Sequence, residues 1–266
     1  MAITPLHLNA TAADFEGNGG RGRFLLLPGS RSRAASIASR LEAVVSREHP
    51  RGHDLHLGVY RHRSGMELDV GVISTGMGCP SVDLIVSELL GLGAKVMLRV
   101  GTSGSLQPSV STGDLVVVTA AVRDESTSDR YLPREFPALA SFTMLRAQTK
   151  AAEQLELRGR VHFGPVHTKD SLYAREMHWG PLSSDHEKYH RLLEQAGVLA
   201  SEMECAHLFV LAQLGAMARA EQPARAGAIL AVIGDHDEPF KHSPRAAEAV
   251  EDGIELAFET FAKLRL

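Results

Sequence analysis

The chain has 266 residues, 44% of them hydrophobic and 23% charged, an ordinary composition for a water-soluble enzyme of one large domain or two small ones. A formal net charge of −4, without any block of lysines and arginines, argues against a nucleic-acid-binding protein. Two cysteines are too few for a disulfide framework, the N-terminal sequence lacks a signal-peptide pattern, and no run of about 18 apolar residues occurs, so we expect a cytoplasmic protein without a membrane span.

Short apolar segments typical of strands alternate with segments of helical periodicity along the whole chain. Strands are predicted at 24–27, 70–74, 96–100, 114–121, 161–168 and 226–233, and helices at 34–45, 82–92, 140–155, 186–196, 204–215 and 244–264. The helix at 82–92 is expected to begin at a Ser81 cap and end at Gly93, and loops are expected at 16–22, 124–133 and 172–185. Because several strands are continuously apolar, we predict one α/β domain over residues 1–266, with a central mixed, mostly parallel, twisted sheet flanked by helices.

Two predicted strands run directly into turns that contain glycine, hydroxyl side chains and arginine. One turn contains Arg99 and Thr102, and the other contains Gly29 and Arg33. This combination of residues suits an oxyanion, because arginine supplies a bidentate cation and glycine lets backbone N–H groups approach the anion closely. The two turns together predict a phosphate site, with Arg51 as a weaker third candidate. For either turn alone, an arginine paired with a surface carboxylate and glycines that only bend the chain remain an equal alternative.

The segment Glu202-Met203-Glu204 places two carboxylates on the same side of an extended chain. Paired carboxylates suit the vicinal hydroxyls of a sugar, because a carboxylate only accepts hydrogen bonds and a diol offers two donors. The alternative is an acidic helix N-terminus that complements the helix dipole.

Asp235 follows a buried strand, where partial desolvation raises the pKa of a carboxyl and suits it to act as a general acid. Asp237 competes for this role, and a turn or capping aspartate is the alternative for both. His167, Lys169 and Asp170 close another strand, but no G-x-S-x-G motif is present, so we do not expect a Ser-His-Asp nucleophile. Gly76-Met77-Gly78 lacks the third glycine of a dinucleotide site, and no spacing typical of metal ligands occurs.

These motifs and their order along the chain resemble those of the nucleoside phosphorylase-I family. This family contains the hexameric purine nucleoside phosphorylases and the uridine phosphorylases. The similarity runs from about His7 to the C-terminal helix. It rests on the segments 7–10, 28–33, 74–81, 99–104 and 202–204. The resemblance implies phosphate-dependent cleavage of a nucleoside's N-glycosidic bond, which gives a free base and ribose 1-phosphate, with inorganic phosphate as co-substrate and no cofactor or metal.

The resemblance also implies a role for each matching residue. Phosphate is expected at Gly29, Arg33, Arg99, Thr102 and an Arg51 lent by a partner chain, and ribose at Met203, Glu204 and a partner's His7. The base is expected at Ser103, Gly104, Tyr173, Glu176, His178 and Glu202, and catalysis at Arg99 and Asp235. Shared sites of this kind imply a homo-oligomer built from dimers, with a hexamer as the usual form.

This chain departs from the family pattern at several positions. Ser30 replaces the usual aspartate of the phosphate loop, and Glu176 and His178 stand where uridine phosphorylases have glutamine and arginine. Asp235 favours a purine nucleoside phosphorylase, whereas the segment 134–138 is more similar to the uridine branch. We therefore expect a purine nucleoside first and uridine second; a nucleoside hydrolase and a nucleoside-binding protein without catalysis are further alternatives.

Overall fold

One sheet of ten strands organises the computed structural model, which describes residues 4–157, 159–218, 224–236 and 243–265. The strands are β1 (Phe24–Pro28), β2 (Glu42–Arg47), β3 (Leu55–Arg61), β4 (Glu67–Ile73), β5 (Val96–Ser105), β6 (Leu115–Asp124), β7 (Ala138–Leu139), β8 (Val161–Lys169), β9 (Ala200–Glu202) and β10 (Arg225–Gly234). The helices are α1 (Arg31–Ala38), α2 (Cys79–Gly91), α3 (Phe142–Gln154), α4 (Leu172–Arg175), α5 (Ser183–Gln195), α6 (Cys205–Ala218) and α7 (Pro244–Lys263).

Strand β5 is the centre of the sheet, which extends from it in two directions. On one side the order is β5-β1-β4-β3-β2, and the sheet ends at the exposed strand β2. On the other side β10, β6, β8 and β9 follow one another, and β9 returns to β5, so that these five strands form a closed ring. Strands β1 and β10 run parallel to β5, but β9 runs antiparallel to it. The expected α/β class with a mixed sheet is confirmed, with a larger antiparallel share than the sequence indicated.

One edge of β5 changes its partner halfway along the strand. Strand β1 pairs with this edge up to Val100, and β9 pairs with it from Gly104 onward. Between these points, Gly101, Thr102 and Ser103 pair with neither strand, while β10 pairs with the opposite edge throughout. Ligands of α/β proteins bind where the strand order changes in this way, because the diverging strands leave a crevice. This gap in the edge of β5 positions the site described below.

Apolar side chains cover both faces of the sheet. Leu25 and Leu27 of β1 belong to a core that also contains α2 and α6 residues, whereas Phe24 and Leu26 belong to a core with residues of α1, α3 and α7. A strand covered on both faces has no side exposed to water, which explains the uninterrupted apolar sequence of β1. In the described part of the chain, none of the helices combines the length and the apolar character needed to cross a membrane.

The strands expected at six positions are all present, but the helix expected at 34–45 is wrong beyond Ala38. Residues 42–47 form β2 instead, and β3, β7 and β9 were also not expected. Ile37, Leu41 and Val45 have helical spacing, which suggested one long helix. However, β2 is exposed along its whole length, so it shows no alternation of apolar and polar residues that would predict a strand.

The start of α2 also differs from the prediction. The helix begins at Cys79 with Gly78 as its N-cap, and Ser81 lies inside the first turn, where its hydroxyl donates to the carbonyl of Thr75 at 2.6 Å. Pro80 fits the first turn because proline has no N–H to leave unpaired there. The loop expected at 172–185 contains the short helix α4 and the beginning of α5.

Candidate active site

A cavity of about 460 Å³ opens at the gap in the edge of β5. Four strands end at this gap. Strands β1 and β4 are parallel to β5, and β8 and β9 are antiparallel to it. The lining therefore comes from many separate segments: Gly29, Ser30, Arg31, Arg33, Arg51, Gly52, His53, Ser74, Gly76, Met77, Arg99, Thr102, Ser103, Lys169, Leu172, Ser201, Glu202, Met203 and Glu204.

Four arginines line this cavity, and one of them, Arg31, is paired with Asp54 at 3.2 Å. Arg99 on β5 is only 4% exposed, Arg33 lies on α1, and Arg51 precedes β3. Burial and the positive charge of Arg99 hold the pKa of Arg33 below its ordinary value, which shows that the two guanidinium groups repel each other. A bound oxyanion would relieve this repulsion. Arg51 borders the cavity of its own chain, whereas the resemblance implied that it reaches a neighbouring chain.

Ser30 holds the helix that carries Arg33. It is the N-cap of α1, and its hydroxyl accepts a hydrogen bond from the backbone N–H of Arg33 at 3.3 Å. Serine and aspartate are both good N-caps, so the replacement of the usual aspartate keeps this contact. The Arg33 guanidinium in turn donates to the carbonyl of Val100 at 3.4 Å, which directs it towards the gap in β5.

Arg99 and Glu204 form a buried ion pair through Nη2 and Oε2. The other oxygen of Glu204 accepts a hydrogen bond from the backbone N–H of Gly78 at 2.6 Å. Burial alone would lower the pKa of Arg99, but the charge of Glu204 raises it above its ordinary value. Each carboxylate oxygen has two lone pairs, so Glu204 keeps acceptor capacity for a ligand after both contacts are made.

Glu202 has a different environment from Glu204 although both line the cavity. Its carboxylate accepts hydrogen bonds from the backbone N–H groups of Glu204 at 2.8 Å and Cys205 at 3.0 Å, and from the hydroxyl of Thr168. These contacts satisfy N–H groups at the start of α6. Burial and the neighbouring charge of Glu204 raise the pKa of Glu202. The alternative of an acid at a helix N-terminus therefore describes Glu202, although its Oε2 also lies 3.8 Å from Arg99 Nε. Glu204 has the closer ion pair with Arg99.

A chain of hydrogen bonds starts at Lys169, which lines the cavity at the end of β8. Lys169 Nζ lies 2.6 Å from Ser201 Oγ and 2.9 Å from Glu176 Oε2. Ser201 Oγ lies 3.1 Å from His167 Nδ1, and His167 Nε2 lies 2.9 Å from Asp124 Oδ2. Ser201, His167 and Asp124 thus contact one another in the order Ser-His-Asp, although the chain has no G-x-S-x-G motif. Lys169 ends a strand that the sequence predicts, but no sequence pattern assigned Lys169 or Ser201 to the site.

Some residues expected at the base lie outside the cavity lining. Tyr173 is 67% exposed on α4, and the ring of His178 lies 3.1 Å from the ring of His190. Gly104 pairs with Ser201 of β9. Glu176 contacts Lys169 at 2.9 Å. Burial raises the pKa of Glu176, but the charge and hydrogen bond of Lys169, together with Ser201, hold it below its ordinary value.

His7 and Asp235 also lie away from the cavity lining. The ring of His7 lies 2.8 Å from Glu88 on α2. The Asp235 carboxylate is exposed and accepts a hydrogen bond at 2.6 Å from the backbone N–H of Thr112, which is distant in sequence. Asp237, the competing candidate for the acid, lies outside the described residues.

Comparison with known proteins gives consistent matches over most of the chain. The family model of the phosphorylase superfamily matches residues 23–265. A uridine phosphorylase of Treponema pallidum is 37% identical over 248 residues, which is 92% of this chain and 85% of that protein. A guanosine phosphorylase of Halorubrum lacusprofundi is 36% identical over 193 residues, which is 71% of this chain and 72% of that protein.

Solved structures show the same fold. A uridine phosphorylase of Vibrio fischeri superposes with a TM-score of 0.79 at 23% identity, and the match covers 98% of this chain and 97% of that chain. The order of strands and helices around the gap in β5 is thus that of a known architecture.

Proposed function

Because the chain belongs to the phosphorylase superfamily, we propose that it is a nucleoside phosphorylase, which cleaves a nucleoside with inorganic phosphate into a free base and ribose 1-phosphate. The observation that carries the proposal is the single cavity lined by Arg33, Arg51 and Arg99 together with the Glu204 carboxylate. Three cations suit a multiply charged anion, and a carboxylate beside them suits a diol. Hydrolysis by water would give the three arginines no ligand.

In the proposed reaction, a phosphate oxygen forms a bond to C1′ while the C1′–N bond breaks, and the electron pair of that bond leaves with the base. Positive charge develops on the sugar in the transition state, so the anion must be held next to it. Arg33 and Arg99 hold the phosphate with Thr102 and Gly29, and Glu204 accepts hydrogen bonds from the ribose hydroxyls while Met203 packs against the sugar. The reaction needs phosphate as co-substrate and no organic cofactor.

For the base, we propose uracil first and a 6-oxopurine second. The relatives include uridine phosphorylases and a guanosine phosphorylase, so both classes occur among similar proteins. The purine preference expected from the sequence rested on Asp235 as the acid. Since that carboxylate contacts Thr112 and lies outside the cavity lining, it does not support a purine over uracil.

The test is a substrate panel of uridine, inosine, guanosine and adenosine, each with and without phosphate, with base release followed by chromatography. We expect release that depends on phosphate and is fastest with uridine. Equal release with and without phosphate would identify a hydrolase, and calorimetric binding without any release would identify a nucleoside-binding protein. A faster reaction with inosine or guanosine would reverse the order of the two bases.

We also propose that the protein is a homo-oligomer whose sites are shared between chains. The support is the position of His7: its ring contacts Glu88 and does not line the cavity of its own chain. A ribose contact by His7 therefore requires a partner's cavity. Light scattering coupled to size-exclusion chromatography should give at least a dimer mass, and a monomer that is fully active would overturn this proposal.

A further inference from the structure

Lys169 is a buried cation that lines the cavity from the end of β8. Its residue surface is 1% exposed, yet it lines the cavity. An ammonium group has three N–H donors. Within the described ranges, two of them have acceptors, Ser201 Oγ at 2.6 Å and Glu176 Oε2 at 2.9 Å. The third donor is therefore available to a molecule in the cavity.

The hydrogen bonds behind Lys169 fix its role as a donor. Ser201 Oγ accepts from Lys169 and so donates its own proton to His167 Nδ1, which leaves His167 Nε2 to donate to Asp124. Arg175 also contacts Asp124, at 2.8 Å, and keeps it an acceptor. Ser201 also contributes a hydrogen bond that lowers the pKa of Glu176, but Lys169 is the donor in each of its own contacts. These hydrogen bonds orient the Lys169 ammonium group, and its free N–H donor requires an acceptor on the ligand.

The order of the strands gives the separation, measured along the sheet, between Lys169 and the turn after β1. Lys169 ends β8, and the order β8-β9-β5-β1 leads to Gly29, directly after β1. Three strand spacings are about 14 Å, enough for a phosphate, a sugar and a planar base in line. Ser103 also lines the cavity, and its buried hydroxyl has no hydrogen-bond partner among the described residues. Both Lys169 and Ser103 can donate to a ligand.

We propose that Lys169 recognises the base through a carbonyl oxygen and stabilises that oxygen as the base leaves. The proposal rests on the proposed function. When the C1′–N bond breaks, its electron pair enters the base, and the negative charge spreads onto the carbonyl oxygen, where the Lys169 N–H group meets it. The base takes up a proton from water after release, so Lys169 need not lose one. Uracil, hypoxanthine and guanine have such an oxygen, and adenine has none.

The experiment compares Lys169→Met with a matched control, Lys188→Met, on the exposed face of α5. Loss of a hydrogen bond to a charged group predicts a fall of about 10- to 100-fold in kcat for uridine and inosine in Lys169→Met. Turnover of N-(β-D-ribofuranosyl)pyridinium, whose leaving group is pyridine and has neither an oxygen nor a negative charge, should change less than about 3-fold. Equal losses on all substrates, or no loss on any, would overturn the proposal.

Binding of free bases separates this proposal from the proposed function. Calorimetry should show that wild-type protein binds uracil or hypoxanthine and not adenine, and that Lys169→Met weakens this binding about 10-fold or more while inorganic phosphate binds unchanged. This result would support the role of Lys169 even if no nucleoside were cleaved with phosphate. Unchanged base binding in Lys169→Met, or binding of adenine as tight as that of uracil, would refute it even if phosphorolysis occurred.

Discussion

Arg99 and Glu204, which both line the cavity, form an ion pair that connects three segments distant in sequence. Arg99 lies on β5, Glu204 directly precedes α6, and the second oxygen of Glu204 binds the N–H of Gly78 at the start of α2. The cation assigned to phosphate and the carboxylate assigned to ribose therefore hold each other in place. A change in either one is transmitted to the other half of the site.

We predict that Arg99→Met and Glu204→Gln are strongly non-additive. Arg99→Met leaves a buried carboxylate without its cation, which should lower the free energy of unfolding by about 3–5 kcal/mol. In Arg99→Met/Glu204→Gln the Glu204 charge is removed together with its cation, and only Glu202, whose carboxylate lies 3.8 Å from Arg99, still loses a neighbouring charge. The double variant should therefore be more stable than the sum of the single changes by about 0.5–3 kcal/mol. Urea unfolding of the four proteins measures this coupling. Additive effects would show that the ion pair does not form in solution.

Arg33→Met should weaken phosphate binding with little effect on stability. Among the described residues, the Arg33 side chain makes one long hydrogen bond, to Val100, and the repulsion from Arg99 disappears when Arg33 is removed. We expect the KM for phosphate to rise about 10- to 100-fold, as for the loss of a charged hydrogen bond, with the melting temperature nearly unchanged.

The matched control for Arg33→Met is Arg191→Met, on the exposed side of α5. It removes the same charge and the same side-chain length far from the cavity lining. A similar rise in the KM for phosphate in both variants would assign the effect to net charge, and an unchanged KM in Arg33→Met would remove Arg33 from the phosphate site.

Asp235→Asn should leave turnover of inosine within about 3-fold of wild type, because the asparagine oxygen can accept the same hydrogen bond from Thr112. Asp235→Ala removes the acceptor and should lower the free energy of unfolding by about 1 kcal/mol. Steady-state kinetics and urea unfolding of both variants test these effects. A large loss of inosine turnover in Asp235→Asn, without a loss of stability, would return Asp235 to the role of general acid.

Local sequence patterns predicted the parts of the site that depend on local structure. An apolar strand followed by a turn with glycine and arginine predicts a strand end with a fixed cation, and both Arg33 and Arg99 line the cavity. The spacing of Glu202 and Glu204 likewise predicted a pair of carboxylates. It did not distinguish the one that caps α6 from the one that pairs with arginine, since that depends on where β5 lies.

The features that sequence patterns did not predict depend on contacts between distant segments. Lys169 ends its strand with no motif around it, and its role follows from Ser201 and Glu176, which come from other elements. Asp235 has the sequence context of an acid, but Thr112, 123 residues away in the chain, binds its carboxylate. Strand β2 lies at an exposed edge, where a strand needs no regular pattern of apolar residues.

The stability of the protein should depend on His167 below pH 6.5. Burial holds the pKa of His167 below its ordinary value of 6.5, and the charge of Lys169 acts in the same direction, although the hydrogen bond to Asp124 opposes both. Between the folded pKa and 6.5 the unfolded chain binds the proton and the native protein does not. The contribution of neutral His167 is thus fully present above pH 6.5 and is lost as the pH falls through this window, by up to about 1.4 kcal/mol per pH unit.

Urea unfolding from about pH 7.5 to pH 5.5 should show this loss of stability in wild type and a shallower loss in His167→Gln, which retains every other titrating group. Identical pH dependence in the two proteins would mean that His167 is not held neutral, and that Ser201 has no fixed acceptor behind Lys169.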